Sequence, residues 1–341
     1  MADGTAIEWT DATWNVVNGC SVHSAGCTNC YAMKQAHRVD TRRGLTHKTK
    51  GGMVWTGDVR FNERVLTDPL RWKRPRRIFV CAHGDLFHES VPDAWIDRVF
   101  GVMGLAPQHQ FQVLTKRSAR MRAYLIARKS DHSVQPPLGD GTLGYHPFNR
   151  DCQPPANVWL GVSVEHQAAA DERIPDLLAT PAAVRWVSGE PLLGPIDLRK
   201  ITLRGVGRMP TPLSNRLGDY IQPLSGNFTD SPTLDWVVAG GESGHGARPM
   251  HPNWARSLRD QCAAAGVPFL FKQWGEWLPW GDDGAGNWAG QDGQVVEELE
   301  ARGDWLDDTD ANGLMTTGFE KCGKKRAGRL LDGVLHDGFP V

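Results

Sequence analysis

The chain has 341 residues, 40% of them hydrophobic and 23% charged, with a formal net charge of −1. That balance fits a folded globular protein of one large or two small domains and excludes a disordered chain. It also excludes a uniformly basic nucleic-acid coat, and no apolar run is long enough to span a bilayer.

Seven short runs rich in β-branched and aromatic residues predict seven strands: Trp14–Asn18, Arg77–Cys81, Phe111–Thr115, Val158–Ser163, Val184–Ser188, Leu234–Ala239 and Val267–Phe271. They do not alternate cleanly, which is the pattern of parallel strands covered on both faces. Helical patterns lie between them, over Tyr31–Val39, Ala94–Leu105, Ser118–Lys129, His166–Leu178 and Pro252–Ala265, the last stopped by Gly266. Strand–helix alternation predicts an α/β protein, a full or partial (β/α) barrel of about six to seven parallel strands, with closure left open. The barrel is expected over residues 1–280, with loop insertions near 130–156 and 199–233 that are rich in Pro and Gly. Periodicity fades after Trp280, so 281–341 reads as a C-terminal appendage.

Met1 to Glu8 are neither basic nor apolar, so no secretory signal is expected and the chain reads as cytoplasmic. Seven cysteines without an export signal favour metal or redox chemistry over a disulfide frame. Charge is unevenly spread: Arg38 to Arg77 carries a local net of +8, and Gly281 to Asn312 a local net of −9. Arg71, Lys73, Arg74, Arg76 and Arg77 form the densest basic run, and Lys324, Lys325 and Arg326 form another near the end. Both runs are candidate phosphate contacts, with solvated surface as the plain alternative.

In parallel α/β sheets, ligands bind at the carboxyl ends of the strands. Those ends hold Asn18-Gly-Cys20, His83-Gly-Asp85, Thr115-Lys116-Arg117, Ser163-Val-Glu165-His166, Ser188-Gly-Glu190, Gly240-Gly-Glu242-Ser243 and Lys272-Gln273-Trp274. The set is the expected active site, although loops are polar in any protein. After the first strand, Cys20, Cys27 and Cys30 are spaced C-x6-C-x2-C, with the closest pair at the start of a helix. Three thiolates suit an iron–sulfur cluster with one iron open. The alternatives are zinc, with His23 as a fourth ligand, and three unrelated cysteines, with the cluster the favoured reading.

With these features the chain resembles the radical S-adenosylmethionine (SAM) superfamily: the first-strand cysteine triplet, the helix behind it, the repeated β/α pattern and the Gly240-Gly-Glu242 triplet. The usual spacing there is C-x3-C-x2-C. The chain is more closely similar to a phage-encoded and bacterial three-cysteine-motif family of radical-SAM-like proteins. The matching pieces are Ile7–Asn15, the triplet, Leu114–Arg117, Leu160–Glu165, Ser188–Leu193, Val238–Ser243, Phe271–Gly275 and Lys325–Asp332.

The resemblance implies a [4Fe–4S] cluster on Cys20, Cys27 and Cys30, SAM as cofactor, and a reductant such as flavodoxin or ferredoxin. In that chemistry the open iron binds the amino and carboxylate groups of SAM. One electron splits the sulfonium, and a 5′-deoxyadenosyl radical takes hydrogen from the substrate. Tyr31, Ser163, Glu165, Ser188, Glu190, Gly240, Gly241, Glu242 and Ser243 become candidate SAM contacts. Lys116 and Lys272 are candidate catalytic groups, and His83, Asp85, Arg117, Gln273 and Trp274 candidate substrate contacts. Phage relatives are associated with hypermodified DNA bases. The expected substrate is therefore a modified base, such as an amino-acid-substituted thymine being isomerised, flipped out or single-stranded, in the host cytoplasm if the chain is phage-encoded. Two other readings stay open: a zinc-stabilised nucleic-acid-binding protein without catalysis, and a radical SAM enzyme acting on a small molecule or peptide.

Overall fold

The computed structural model describes residues 4–130, 155–202, 220–224, 232–280 and 318–340. The expected loop insertions and the acidic stretch after Trp280 lie largely outside these residues, as does Cys152. Seven parallel strands form one sheet: β1 (Ala12–Trp14), β2 (Arg77–Val80), β3 (Gln110–Thr115), β4 (Val158–Ser163), β5 (Val184–Gly189), β6 (Trp236–Gly240) and β7 (Phe269–Gln273). Their spatial order equals their order in sequence, and the sheet curls into a half-barrel with helices on its outer side. The expected partial barrel is therefore the observed fold, with β1 and β7 as its edges.

Helices α1 (Tyr31–Gln35), α2 (Asp93–Leu105), α3 (Ser118–Ser130), α4 (Gln167–Ala179) and α5 (Pro252–Ala265) fall close to the expected segments. Helix α5 stops at Gly266, which adopts a left-handed φ of 68°. Two boundaries differ from the sequence expectation. The first strand pairs over Ala12–Trp14 only, and Val17–Asn18 leave the sheet to pair antiparallel with Arg60–Phe61. The helix after the cysteines ends at Gln35 and continues as short 3-10 turns.

Side chains alternate across the sheet, and the two faces bury different things. Outward-facing Ile78, Val80, Phe111, Val113, Leu160, Val162, Val187, Val237 and Phe271 pack with the helices. Inward-facing Phe79, Trp159, Trp186, Trp236 and Leu270 join Trp9 in an aromatic floor inside the curl. Ring centroids there lie 4.7 Å apart for Trp9–Phe79 and 5.2 Å for both Trp9–Trp186 and Trp186–Trp236. A methyl group at Gly161 would lie 2.5 Å from the Trp186 indole, so β4 makes room for that ring by carrying no side chain.

The edge strand β7 is covered by the chain's end. Phe271 N–H donates to His336 O (3.0 Å), Gly338 N–H to Phe269 O (3.0 Å), and Trp236 Nε1–H to Gly338 O (2.7 Å). An exposed sheet edge would invite pairing with another chain, and this tail occupies it. Among the described residues, no helix is long and apolar enough to cross a membrane.

Candidate functional site

The same alternation that buries tryptophans in the floor turns Leu114, Ser163, Ser188 and Lys272 inward at the carboxyl ends of their strands. Ser163 and Ser188 are direct register partners. Above them lies a cavity of about 220 Å³, whose walls combine these side chains with Cys20, Cys27, Cys30, Tyr31, Asp85, Lys116, Arg117, Glu190, Gly241, Glu242 and Ser243. Trp9, Trp55 and Phe79 add an aromatic side. The expectation that polar strand ends gather in one place is met for most of the residues named.

The cysteine loop is clamped from two sides. On one side lies a buried ion network. Lys116 Nζ donates to Glu165 Oε2 (2.9 Å) and Ser163 Oγ (2.8 Å), and Arg173 Nη1 donates to the same carboxylate oxygen (2.9 Å). The other Glu165 oxygen accepts from Gly26 N–H in the cysteine loop (3.4 Å). Burial alone would raise the pKa of Glu165, but Lys116 and Arg173 overcome it and hold the carboxyl at about 2. On the other side, both Glu242 oxygens take donors from Arg248 (2.6 and 2.9 Å), and Asn29 Nδ2 adds a bond to Glu242 (3.0 Å) and one to Gly246 O (2.6 Å). Arg248 Nη2 also donates to Ala25 O (3.0 Å).

The three thiols line one wall but do not converge as ligands of a single ion would; among the described residues no group of three His, Cys, Asp or Glu does so. They are neighbours nonetheless. Burial pushes the Cys20 thiol up to about 12, and Asp85, Cys30 and Cys27 add to the rise while Arg117 opposes it. Burial likewise raises the pKa of Cys30. A fourth thiol, Cys81, also borders the cavity, but its sulfur is engaged with the backbone at Val17 and Val16. His23 approaches Glu172 on α4 (3.9 Å) and is not part of the cavity wall.

A family model described as "Protein of unknown function (DUF5131)" matches residues 4–340. The chain belongs to the DUF5131 family. No curated protein and no solved structure matches it.

In this DUF5131 chain several candidate contacts have other work. Arg117 was expected to touch substrate, but its donors are spent on Cys20, Asp85, Ser21 and Glu89. Asp85 is saturated too, accepting from Thr115 Oγ1, Phe87 N–H, Lys116 N–H and Arg117. Glu242 braces the loop, with Oε2 accepting from Asn29 and from Arg248 N–H and Nε, and Oε1 from Arg248 Nη2. Glu165 sits beneath the cavity wall, fully buried. Gly241 borders the cavity, and a methyl group there would lie 1.9 Å from Trp274 O, so close approach of the next strand is reason enough for the glycine. Gly240 packs against Lys272 and Gln273 for the same reason.

Gln273 and Trp274 lie behind the wall. Gln273 Nε2 donates to Glu190 (3.3 Å), and buried Trp274 packs on Phe271 and donates to Leu330 O (2.8 Å), so it offers no stacking face. His83 packs edge-on against Tyr31, and burial lowers its pKa to about 4, leaving it neutral. Tyr31 does reach the cavity, with its hydroxyl donating to Ala82 O (2.8 Å). Lys272 and Glu190 form an ion pair on the wall.

The basic runs part company. Arg77 begins β2, and the Arg71–Arg77 run therefore lies at the amino ends of the strands, the end away from the cysteines. There Arg77 pairs with Asp11 (3.1 Å) and Arg76 stacks on Trp72. Lys73 and Arg74 are exposed at that end. The Lys324–Ala327 turn is nearer the cavity. Lys324 pairs with Glu8 (2.9 Å), between cavity residues Ile7 and Trp9, while Arg326 pairs with Glu320 (3.0 Å) and Lys325 is exposed.

Sequence reasoning missed Asn29, Arg173, Arg248, Ser21 and Trp9. Arg173 had a signal: it falls on the apolar stripe of α4 among Ala169, Ala170, Ile174 and Leu177, where a charge needs a buried partner. Arg248 stands only six residues after its main partner Glu242, but its bond to Ala25 O joins segments far apart along the chain and left no sequence signal.

Proposed function

We propose that this protein is a radical SAM enzyme in which Cys20, Cys27 and Cys30 would hold a [4Fe–4S] cluster. The observation that carries the reading is three thiols on one wall of a cavity at the carboxyl ends of a parallel half-barrel. The donor set fits such a cluster. Cys20, Cys27 and Cys30 would hold it, and His23 lies beside Glu172, outside the cavity wall. When bound, the cluster and SAM supply a carbon-centred radical that abstracts hydrogen from a substrate.

The chain's own residues hold, orient and shield. Lys116 has three N–H donors, and two go to Ser163 and Glu165, which leaves one for a ligand carboxylate. Ser163, Ser188 and Glu190 offer hydroxyl and carboxylate groups to ribose hydroxyls or an ammonium. The aromatic floor excludes water from the deep end.

As substrate we propose a base of DNA, presented flipped out or as a single strand, with electrons from a flavodoxin- or ferredoxin-class donor. Support comes from the aromatic character of one side of the cavity, lined by Trp9, Tyr31, Trp55 and Phe79, of which Tyr31 is the most exposed. The basic Arg71–Arg77 run gives no support, since it lies at the other end of the strands.

The test is release of 5′-deoxyadenosine from SAM under dithionite in anaerobically reconstituted protein. Release by wild type and none by the Cys20/Cys27/Cys30→Ala variant is the expected pair of results. Wild type that carries a full complement of iron and sulfide yet cleaves no SAM would sink the reading.

A further inference from the structure

Arg117 occupies an unusual place for an arginine beside a ligand cavity. Its side chain is almost wholly buried, and all its donor directions are fixed by the protein. Nη1 donates to Asp85 Oδ2 (3.0 Å) and points at Cys20 Sγ (3.4 Å). Nη2 holds Ser21 Oγ (2.7 Å) and Ser21 O (3.2 Å), and Nε holds Glu89 Oε2 (3.3 Å). Ser21 is in turn fixed by His88 Nε2 (2.9 Å). The guanidinium is therefore held in place, and one of the neighbours its donors reach is the Cys20 sulfur.

We propose that Arg117 is a positioning residue that sets the reduction potential of the cluster through its N–H···S contact with Cys20. The inference rests on the cluster reading above and adds the residue that tunes it. Reduction adds negative charge to a cluster and its thiolates. A buried cation donating to a ligand sulfur favours that state and makes the potential less negative. Asp85 lies on the same Nη1 and acts with the opposite sign, as does Glu89 at the exposed side, so the potential reflects their balance. Lysine at this position would keep a charge opposite Asp85, but a single ammonium cannot span Asp85, Ser21, Glu89 and Cys20 together.

The test is a redox titration, followed by electron paramagnetic resonance, of wild type, Arg117→Lys and Asp85→Asn reconstituted anaerobically with iron and sulfide. Arg117→Lys is expected to move the midpoint to more negative potential by a tenfold or larger change in the one-electron equilibrium, about 59 mV. Asp85→Asn is expected to move it the other way. A role limited to holding the fold gives no reason for opposite signs. Unchanged midpoints in both variants, or shifts of the same sign, would overturn the proposal. Wild type that takes up no cluster would defeat the cluster reading itself, and iron and sulfide analysis distinguishes that failure from a failure of tuning.

Discussion

Glu165 shows how one side chain binds the candidate site to the fold. Its carboxylate has no exposure, faces two cations and holds the cysteine loop through Gly26. Because its folded pKa is depressed from 4.5 to about 2, its contribution is complete above roughly pH 4.5. That contribution is lost as pH falls towards 2, and amounts to about 3 kcal/mol. Acid unfolding of wild type should therefore steepen between these values. Glu165→Gln should lose that slope and be less stable at neutral pH by about 3–5 kcal/mol, since Lys116 and Arg173 would face an uncharged partner. Equal pH profiles in urea denaturation of the two proteins would contradict this. At Gly161 the argument is steric. Gly161→Ala places a methyl group 2.5 Å from the Trp186 ring and should cost about 1–3 kcal/mol, read as a lower urea midpoint at unchanged m-value.

At the scale of elements, the cysteine loop and the Glu242 loop are held together by Asn29, Arg248 and Lys34, the last donating to Asn29 Oδ1 (3.1 Å). Arg248→Ala removes the fork that neutralises Glu242 and the bond to Ala25 O. Amide hydrogen exchange over residues 25–30 should then rise at least tenfold, about 1.4 kcal/mol of local opening, while the sheet keeps its protection. Exchange unchanged in that loop would show that the clamp is dispensable. The strands were legible in the sequence because runs such as Val158–Ser163 are apolar on both faces, and Gly266 marked the end of α5. The triplet was legible from its C-x6-C-x2-C spacing, and Ser163 and Ser188 from their place at strand ends, where the register makes them direct partners. The use of Arg117, Glu242 and Trp274 was not legible. A residue's position at a strand end says where it stands, and the partner that consumes its donors or covers its ring comes from elsewhere in the chain, as Leu330 does for Trp274.

At the scale of the whole molecule, the half-barrel has two ends with different character. The carboxyl end holds the thiols and the cavity, and the amino end holds Arg71–Arg77. The turn bearing Lys325 and Arg326 stands by Glu276, which also holds Gly244 N–H beside the cavity (2.8 Å). Single-stranded oligonucleotide binding, if it serves the cavity, should weaken several-fold in Lys325→Glu/Arg326→Glu and fall with added salt. Arg74→Glu/Arg76→Glu should leave it unchanged. The reverse pattern in fluorescence anisotropy would place nucleic acid at the wrong end for this account. Four of the fourteen tryptophans, Trp9, Trp159, Trp186 and Trp236, fill the floor inside the curl and need no ligand there.

The central claim is that the cysteine triplet holds a cluster. Iron, acid-labile sulfide and zinc should be measured on anaerobically purified wild type and on the Cys20/Cys27/Cys30→Ala variant. The account expects about four irons with matching sulfide per chain, lost in the variant. One zinc without sulfide in wild type, or iron retained by the variant, would contradict it.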